Sequence, residues 1–169
     1  MDFVLKPWSL DDLPSLVRYA NNPRIARFMK DVFPHPYTEQ AGIEFINRFS
    51  HDDPIRVFAI HVNGEAAGSI GIHPQGDIMR LNAELGYWLA EPYWGNGIIT
   101  SAVREIIPYA FTNFDIRRIF ARVFSPNIAS QHVLEKCGFR LEANIQASII
   151  KNGEILDEFI FAVRQPSDH

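Results

Sequence analysis

The stretch with the clearest chemical potential is Tyr93-Trp94-Gly95-Asn96-Gly97. It follows an alternating run that ends at Leu89-Ala90 and precedes Ile98, Ile99, Ala102, Val103, Ile106 and Ile107, which recur at helical spacing. A strand that runs through a Gly-rich turn into a helix gathers backbone N–H groups and the positive helix end at one point, which suits a phosphate. On pattern alone an ordinary tight turn is an equal alternative. No Gly-Lys-Ser/Thr follows, which excludes a nucleoside-triphosphate loop, and Ile98-Ile99-Thr100 stand where G-x-G-x-x-G would need a third glycine. Other residues with chemistry are more isolated. Cys137 closes an amphipathic helix with no activating base in view and reads as core. His73 and Asp77 follow a strand end and read as turn residues. Asp157 alternates with Ile155, Phe159 and Phe161, and a carboxylate on an apolar strand face needs a partner.

The elements that must position these residues follow from periodicity. Phe3 to Pro7 is extended, and Ser9 with Asp12 makes a capping-box start for a helix carrying Leu10, Leu13, Val17 and Ala20. A short helix after Asn22-Pro23 carries Ile25, Ala26, Phe28 and Met29, and the prolines of Phe33-Pro34-His35-Pro36 break it. Thr38 opens a third helix with Ala41, Phe45, Ile46 and Phe49. From Val57 the period becomes two. Val57 to Val62 and Ala66 to Ile72 form a hairpin about Asn63-Gly64, and Leu81 to Leu89 alternates as a long strand. The helix after Gly97 contains Pro108, which kinks it or marks its last turns. Arg118 to Phe124 is a strand, Ser125-Pro126-Asn127 opens a helix that Gly138 closes, and Phe139 to Ile149 turns at Asn152-Gly153 into Ile155 to Val163. This order implies an α+β protein with a mixed, mostly antiparallel sheet of six to seven strands, flanked by about four to five helices.

The 169 residues, 47% hydrophobic and 21% charged, suit one domain over residues 1–169, with no linker or repeat to divide it. A net charge of −4 argues against nucleic-acid binding, which draws on Lys and Arg neutralising phosphates. One cysteine makes neither an intrachain disulfide nor a multi-cysteine zinc site, and no metal is implied. No apolar run reaches bilayer-spanning length, and Met1-Asp2-Phe3-Val4 lacks the features of a secretory signal, so the expectation is a cytoplasmic protein without a membrane partner.

Three ordered motifs carry a family resemblance: Phe33-Pro34-His35-Pro36-Tyr37-Thr38; Ala83-Glu84-Leu85-Gly86-Tyr87-Trp88-Leu89 leading to Pro92-Tyr93-Trp94-Gly95-Asn96-Gly97; and Asn127-Ile128-Ala129-Ser130 leading to Leu134-Glu135-Lys136-Cys137-Gly138-Phe139. From Phe3 to Val163 the sequence resembles the GCN5-related N-acetyltransferases (GNAT), and within them the branch that acetylates N-terminal amines of ribosomal proteins. The resemblance implies the GNAT fold, with strands splayed at a cofactor cleft, and acetyl-CoA as acetyl donor. The family's pyrophosphate loop, Gln/Arg-x-x-Gly-x-Gly/Ala, falls on Trp94, Gly95, Asn96, Gly97, Ile98 and Ile99, with Thr100 beside it. Trp94 departs from Gln/Arg and Ile99 from the small residue. Backbone amides carry phosphate binding, so binding is expected to survive both. By the same resemblance the strand end at Leu89 and Ala90 bonds the pantetheine arm, with Asn127 and Ser130 touching it from the other side.

Acetyl transfer to an amine needs a base, a polarised carbonyl and a tolerated thiolate. Glu84, on the strand face of Gly86 and Trp88, is the candidate base, and a backbone N–H at Leu89 or Ala90 the candidate polariser. A structural carboxylate is the competing reading of Glu84. Many relatives carry a Tyr as acid where Leu134 stands here, and Ser130 is either its substitute or a cofactor contact. Phe33, His35, Tyr37, Glu84 and Asp157 are the candidate acceptor-binding residues, Asp157 either as amine anchor or as half of a structural pair. Arg117 and Arg118 either face the adenylate phosphates or are solvated. The acceptor expected is a primary amine, of a protein N-terminus or of a polyamine, aminoglycoside or amino acid. A non-catalytic acyl-CoA-binding regulatory domain is the reading from another class. A monomer and a homodimer are both compatible with the exposed edge of the last two strands.

Overall fold

The structure is a computed structural model that describes residues 1–167. Its strands are β1 (Val4–Pro7), β2 (Val57–Val62), β3 (Glu65–Pro74), β4 (Asn82–Leu89), β5 (Arg118–Phe124), β6 (Arg140–Lys151) and β7 (Glu154–Arg164). Its helices are α1 (Leu13–Ala20), α2 (Pro23–Ala26), α3 (Glu39–Phe49), α4 (Ile98–Asn113) and α5 (Ile128–Lys136). The seven strands hydrogen-bond in the order β1-β2-β3-β4-β5-β7-β6. β4 and β5 pair in parallel, from Asn82↔Arg118 to Glu84↔Phe120. The chain divides into two compact units, Met1–Gly71 with Tyr87–Ala102, and Ile72–Gly86 with the chain from Val103 onward.

In the first unit β2 and β3 form a hairpin whose Asn63 and Gly64 sit at φ 52° and 83°, the left-handed conformation that a type I′ turn requires. Ser9 and Asp12 complete the capping box at a 3-10 turn, Leu10–Asp12, which leads into α1. Leu16 and Ala20 of α1 and Ile46 and Phe49 of α3 bury one stripe each around Trp8 and Trp88. Gly42 lets these helices approach, since a Cβ there would lie 2.7 Å from the Leu13 side chain. α2 stops at Ala26, short of the expected Phe28 and Met29. The amides of Phe28 and Met29 bond to carbonyls three residues back, at Ile25 and Ala26, so the α geometry has already tightened away.

In the second unit β5 supplies a buried face of Ile119, Ala121 and Val123, with Val103, Ile106 and Ala110 of α4 and Leu134 of α5 also in the core. Pro108 lies within α4, which continues to Asn113. Gly138 at φ 86° ends α5, with its own amide and that of Phe139 returning to the carbonyls of Glu135 and Leu134. β6 is the terminal strand, with Leu141 and Ile145 exposed and two register shifts in its pairing with β7. No described helix is long and apolar enough to cross a membrane.

Candidate active site

In the first unit, β4 ends where the backbone changes partner. The Ala90 N–H donates to the Ala67 carbonyl at 2.7 Å, so it is committed to β3. Successive strand amides point to opposite edges, and the Leu89 N–H therefore faces away from β3. Of the two expected carbonyl polarisers, the geometry retains Leu89. The Leu89 carbonyl accepts from Trp94 Nε1 at 2.7 Å, so the tryptophan in place of Gln/Arg braces the turn against the strand it leaves. Asn96 closes the turn from within, its Nδ2 donating to the carbonyls of Tyr93 at 3.0 Å and Trp94 at 3.1 Å. Gly95 and Gly97 hold φ 78° and 73°, and a Cβ on either would project into open space. Ile98 is buried and anchors the start of α4, whose ladder begins with the Ser101 N–H donating to the Gly97 carbonyl, while Ile99 and Thr100 are half-buried. A braced turn with two left-handed glycines at a helix N-terminus fits a pyrophosphate.

Side chains that the sequence did not single out hold this turn in place. Glu91, at the start of the 3-10 turn Glu91–Tyr93, accepts from Asn22 Nδ2 at 2.8 Å and from Arg24 at 2.5 Å. Those bonds, Asn22's first, hold its carboxyl below the usual range. Tyr19 stacks edge-on against Tyr93 and donates to Glu65, which pushes its phenol up to about 12. The proline-broken segment contributes Phe33, whose ring lies 5.1 Å from Tyr37 and 6.0 Å from Trp88. Tyr37 is a core residue, 5% exposed, and burial pushes its phenol up to about 12, so it stays protonated at neutral pH and is no base. His35 is exposed.

In the second unit Glu84 stands opposite Phe120, and the β5–β7 register puts Arg122 and Glu158 on the same sheet face. Arg122 binds Glu158 at 2.8 Å and reaches Glu84 Oε1 only at 3.9 Å. Next to this row Arg118 bonds Asn82 at 2.9 Å and Glu142 at 2.6 Å, and Arg164 also bonds Glu142. Arg118 is thus tied into the sheet, and the guanidinium groups of Arg118 and Arg122 lie over the Phe120 ring, at 5.0 and 5.6 Å from its centroid. A Cβ on Gly86 would meet nothing within 4 Å, which leaves room beside Glu84. Asp157 lies on the opposite face of β7 from Glu158, and its carboxylate accepts from the Ala147 N–H at 2.9 Å, where β6 bulges. The Asn127 side chain caps α5 by accepting from the Ser130 N–H at 3.3 Å. Leu134 is wholly buried. Burial pushes the Cys137 thiol up, away from a nucleophile's range. Asp77 adopts φ 55° at a 3-10 turn. Among the described residues no group of three or more His, Cys, Asp or Glu could hold a metal.

The family model for the acetyltransferase (GNAT) domain matches residues 2–140. The uncharacterized N-acetyltransferase p20 of Bacillus licheniformis is 29% identical over 164 residues, 95% of this chain and 91% of that protein. Spermidine N(1)-acetyltransferase of Escherichia coli K12 is 26% identical over 153 residues, 89% of this chain and 79% of its own length. The solved structure of RimL, a ribosomal L7/L12 alpha-N-protein acetyltransferase in complex with coenzyme A, superposes with a TM-score of 0.82 at 21% identity, covering 96% of this chain and 93% of that one. The chain belongs to the GNAT acetyltransferase family. It has the GNAT fold and is an N-acetyltransferase with acetyl-CoA as donor.

Proposed function

We propose that the chain works as a single acetyltransferase domain that moves acetyl directly from acetyl-CoA to a primary amine, with Glu84 as general base. The observation that carries this reading is the state of the Glu84 carboxylate. It is partly exposed, stands beside the space left by Gly86, and its ion-pair contact with Arg122 is long at 3.9 Å. A carboxylate so placed keeps lone pairs to accept the proton that the amine loses as its nitrogen forms the amide bond.

Bound acetyl-CoA supplies an activated acyl thioester. The Gly95–Gly97 turn and the start of α4 would hold its pyrophosphate, with Trp94, Ile98, Ile99 and Thr100 shaping the turn, and Asn127 and Ser130 would line its arm from α5. The Leu89 N–H would polarise the thioester carbonyl. An acid is dispensable, because a thiol of ordinary pKa near 8.5 departs as thiolate, in keeping with a wholly buried Leu134. Phe33 and His35 would meet the acceptor.

A protein N-terminal amine is the acceptor we favour, on the branch resemblance and the likeness to RimL. A polyamine is the second reading, favoured by the E. coli spermidine relative. Turnover of acetyl-CoA against peptides with free N-termini and against spermidine separates them. Glu84→Gln is expected to lower kcat/KM by about 10²-fold or more and to remove the part of its rise with pH that the acceptor's own ionisation does not supply. An E84Q enzyme with the wild-type pH profile takes Glu84 out of the mechanism, and no thiol release with any amine would leave the regulatory-domain reading.

A further inference from the structure

We propose that Glu158 is a positioning residue for this reaction, which keeps Glu84 available as a base by holding Arg122 away from it. The inference rests on the reading of Glu84 given above. Two carboxylates compete here for one guanidinium. Glu158, on β7, is the more buried, its side chain 10% exposed against 21% for Glu84. A buried carboxylate without a cation is costly, so Glu158 takes the short bond, 2.8 Å from Arg122 Nη1. Glu84 gets the remainder, a 3.9 Å approach from Nε. The difference matters chemically. A guanidinium closed onto Glu84 would occupy the oxygens that must accept the amine's proton, whereas one held at 3.9 Å leaves those lone pairs unclaimed.

The fold explains how the division is enforced. Arg122 pairs with Ile160 and Phe124 with Glu158, so Glu158 sits two residues along the same face from Arg122's own partner, within reach of its guanidinium. The Phe120 ring carries the Arg122 guanidinium on one side, while Arg118, the other cation on this face of β5, is committed to Asn82 and Glu142. Arg164 of β7 is likewise committed to Glu142. On β4 Glu84 is the only charged residue, and β3 carries only Glu65 and His73 as titratable groups. Arg122 is therefore the cation whose placement governs Glu84, and Glu158 sets that placement.

Opposite effects from the two halves of one ion pair test the idea. In Glu158→Gln the carboxylate left to Arg122 among the described residues is Glu84. The rise of kcat/KM with pH is then expected to move about one unit lower, with a plateau roughly 3- to 30-fold down. In Arg122→Gln two carboxylates face each other without a cation, and the rise is expected to move about one unit higher. The double variant should lie between them. Kinetics use one acceptor throughout, a peptide with a free N-terminus or spermidine, so that the acceptor's own ionisation is common to every profile. A merely structural pair would give both single variants the same loss of activity with the rise unmoved. Unmoved profiles, or shifts of one sign, in enzymes where E84Q does abolish the rise overturn the role of Glu158 alone. A rise beyond the one the acceptor contributes to every profile that persists in E84Q overturns the base and this role with it. If E158Q does not fold, Glu158→Asp, whose shorter side chain keeps the charge but loses the reach to Arg122, should move the rise lower in the same way, and an unmoved rise there overturns the role of Glu158.

Discussion

Replacing Gly97 by alanine separates two costs that a glycine in a binding turn usually confounds. At φ 73° an L-residue is strained by about 1–2 kcal/mol, whatever surrounds it. A Cβ there touches nothing within 4 Å, so no steric term adds to that cost in the protein alone. For a chain of this length the strain corresponds to a loss of roughly 2–8 °C in Tm. The second cost appears only with ligand. At about 100 times Kd, acetyl-CoA should stabilise the wild-type protein by about 2.7 kcal/mol, or roughly 5–10 °C. If the open space above Gly97 is where the pyrophosphate sits, the methyl group intrudes on it. A tenfold loss of affinity then halves the stabilisation to about 1.4 kcal/mol at the same concentration. Gly138 supplies the control, with φ 86° and equally open surroundings at the far end of α5. Gly138→Ala should carry the same intrinsic strain and keep the full acetyl-CoA shift. Thermal unfolding of the three proteins with and without acetyl-CoA reads both costs. A G97A protein that keeps the wild-type shift would refute the assignment of the phosphate to this turn.

Gly86→Val should raise KM for the amine about tenfold or more and leave KM for acetyl-CoA unchanged, since its side chain would enter the open space beside Glu84; steady-state kinetics with each substrate varied in turn check this. Glu142→Gln should lower Tm by roughly 2–4 °C at pH 7, about 1 kcal/mol for a partly exposed network. Because Arg118, and then Arg164, hold the Glu142 carboxyl below its ordinary range, its contribution is present above an unfolded value of about 4.3 and is lost as pH falls through the lower folded value. Melting curves of E142Q and wild type should therefore converge in acid, and a gap that persists or widens there would contradict the ion-pair account.

What the sequence displayed and what it concealed divide along the range of the interaction. Asn63-Gly64 and Asn152-Gly153 announce their hairpins because the left-handed φ they tolerate is a property of two adjacent residues. Ser9 and Asp12 announce a helix start for the same local reason. The alternation from Phe139 to Ile149 is equally plain, but period two reports which residues share a face and says nothing about whether anything covers that face, and Leu141 and Ile145 are exposed. The turn's brace was hidden for a different reason: Asn22 and Arg24 reach Glu91 across nearly 70 positions, and no local pattern marks such a pair.

The carboxylates of β7 show how narrow that margin is. Asp157 draws notice in the sequence because it shares an apolar face with Phe159 and Phe161, yet it spends its oxygen on the bulge amide of Ala147. Its neighbour Glu158 looks outward by the same alternation and is nevertheless the buried one, 8% exposed, because β5 presents Arg122 on that face. One position along a strand reverses the face, so choosing between the two carboxylates requires the β5–β7 register, Arg122↔Ile160 and Phe124↔Glu158. That register is a tertiary fact, and together with the β4–β5 pairing it puts Glu84, Arg122 and Glu158 on one face of the sheet. The sequence could propose Glu84 as a base from its place on β4 alone. Whether that base is usable depends on which carboxylate holds Arg122, and that is decided by the pairing of strands far apart in the chain.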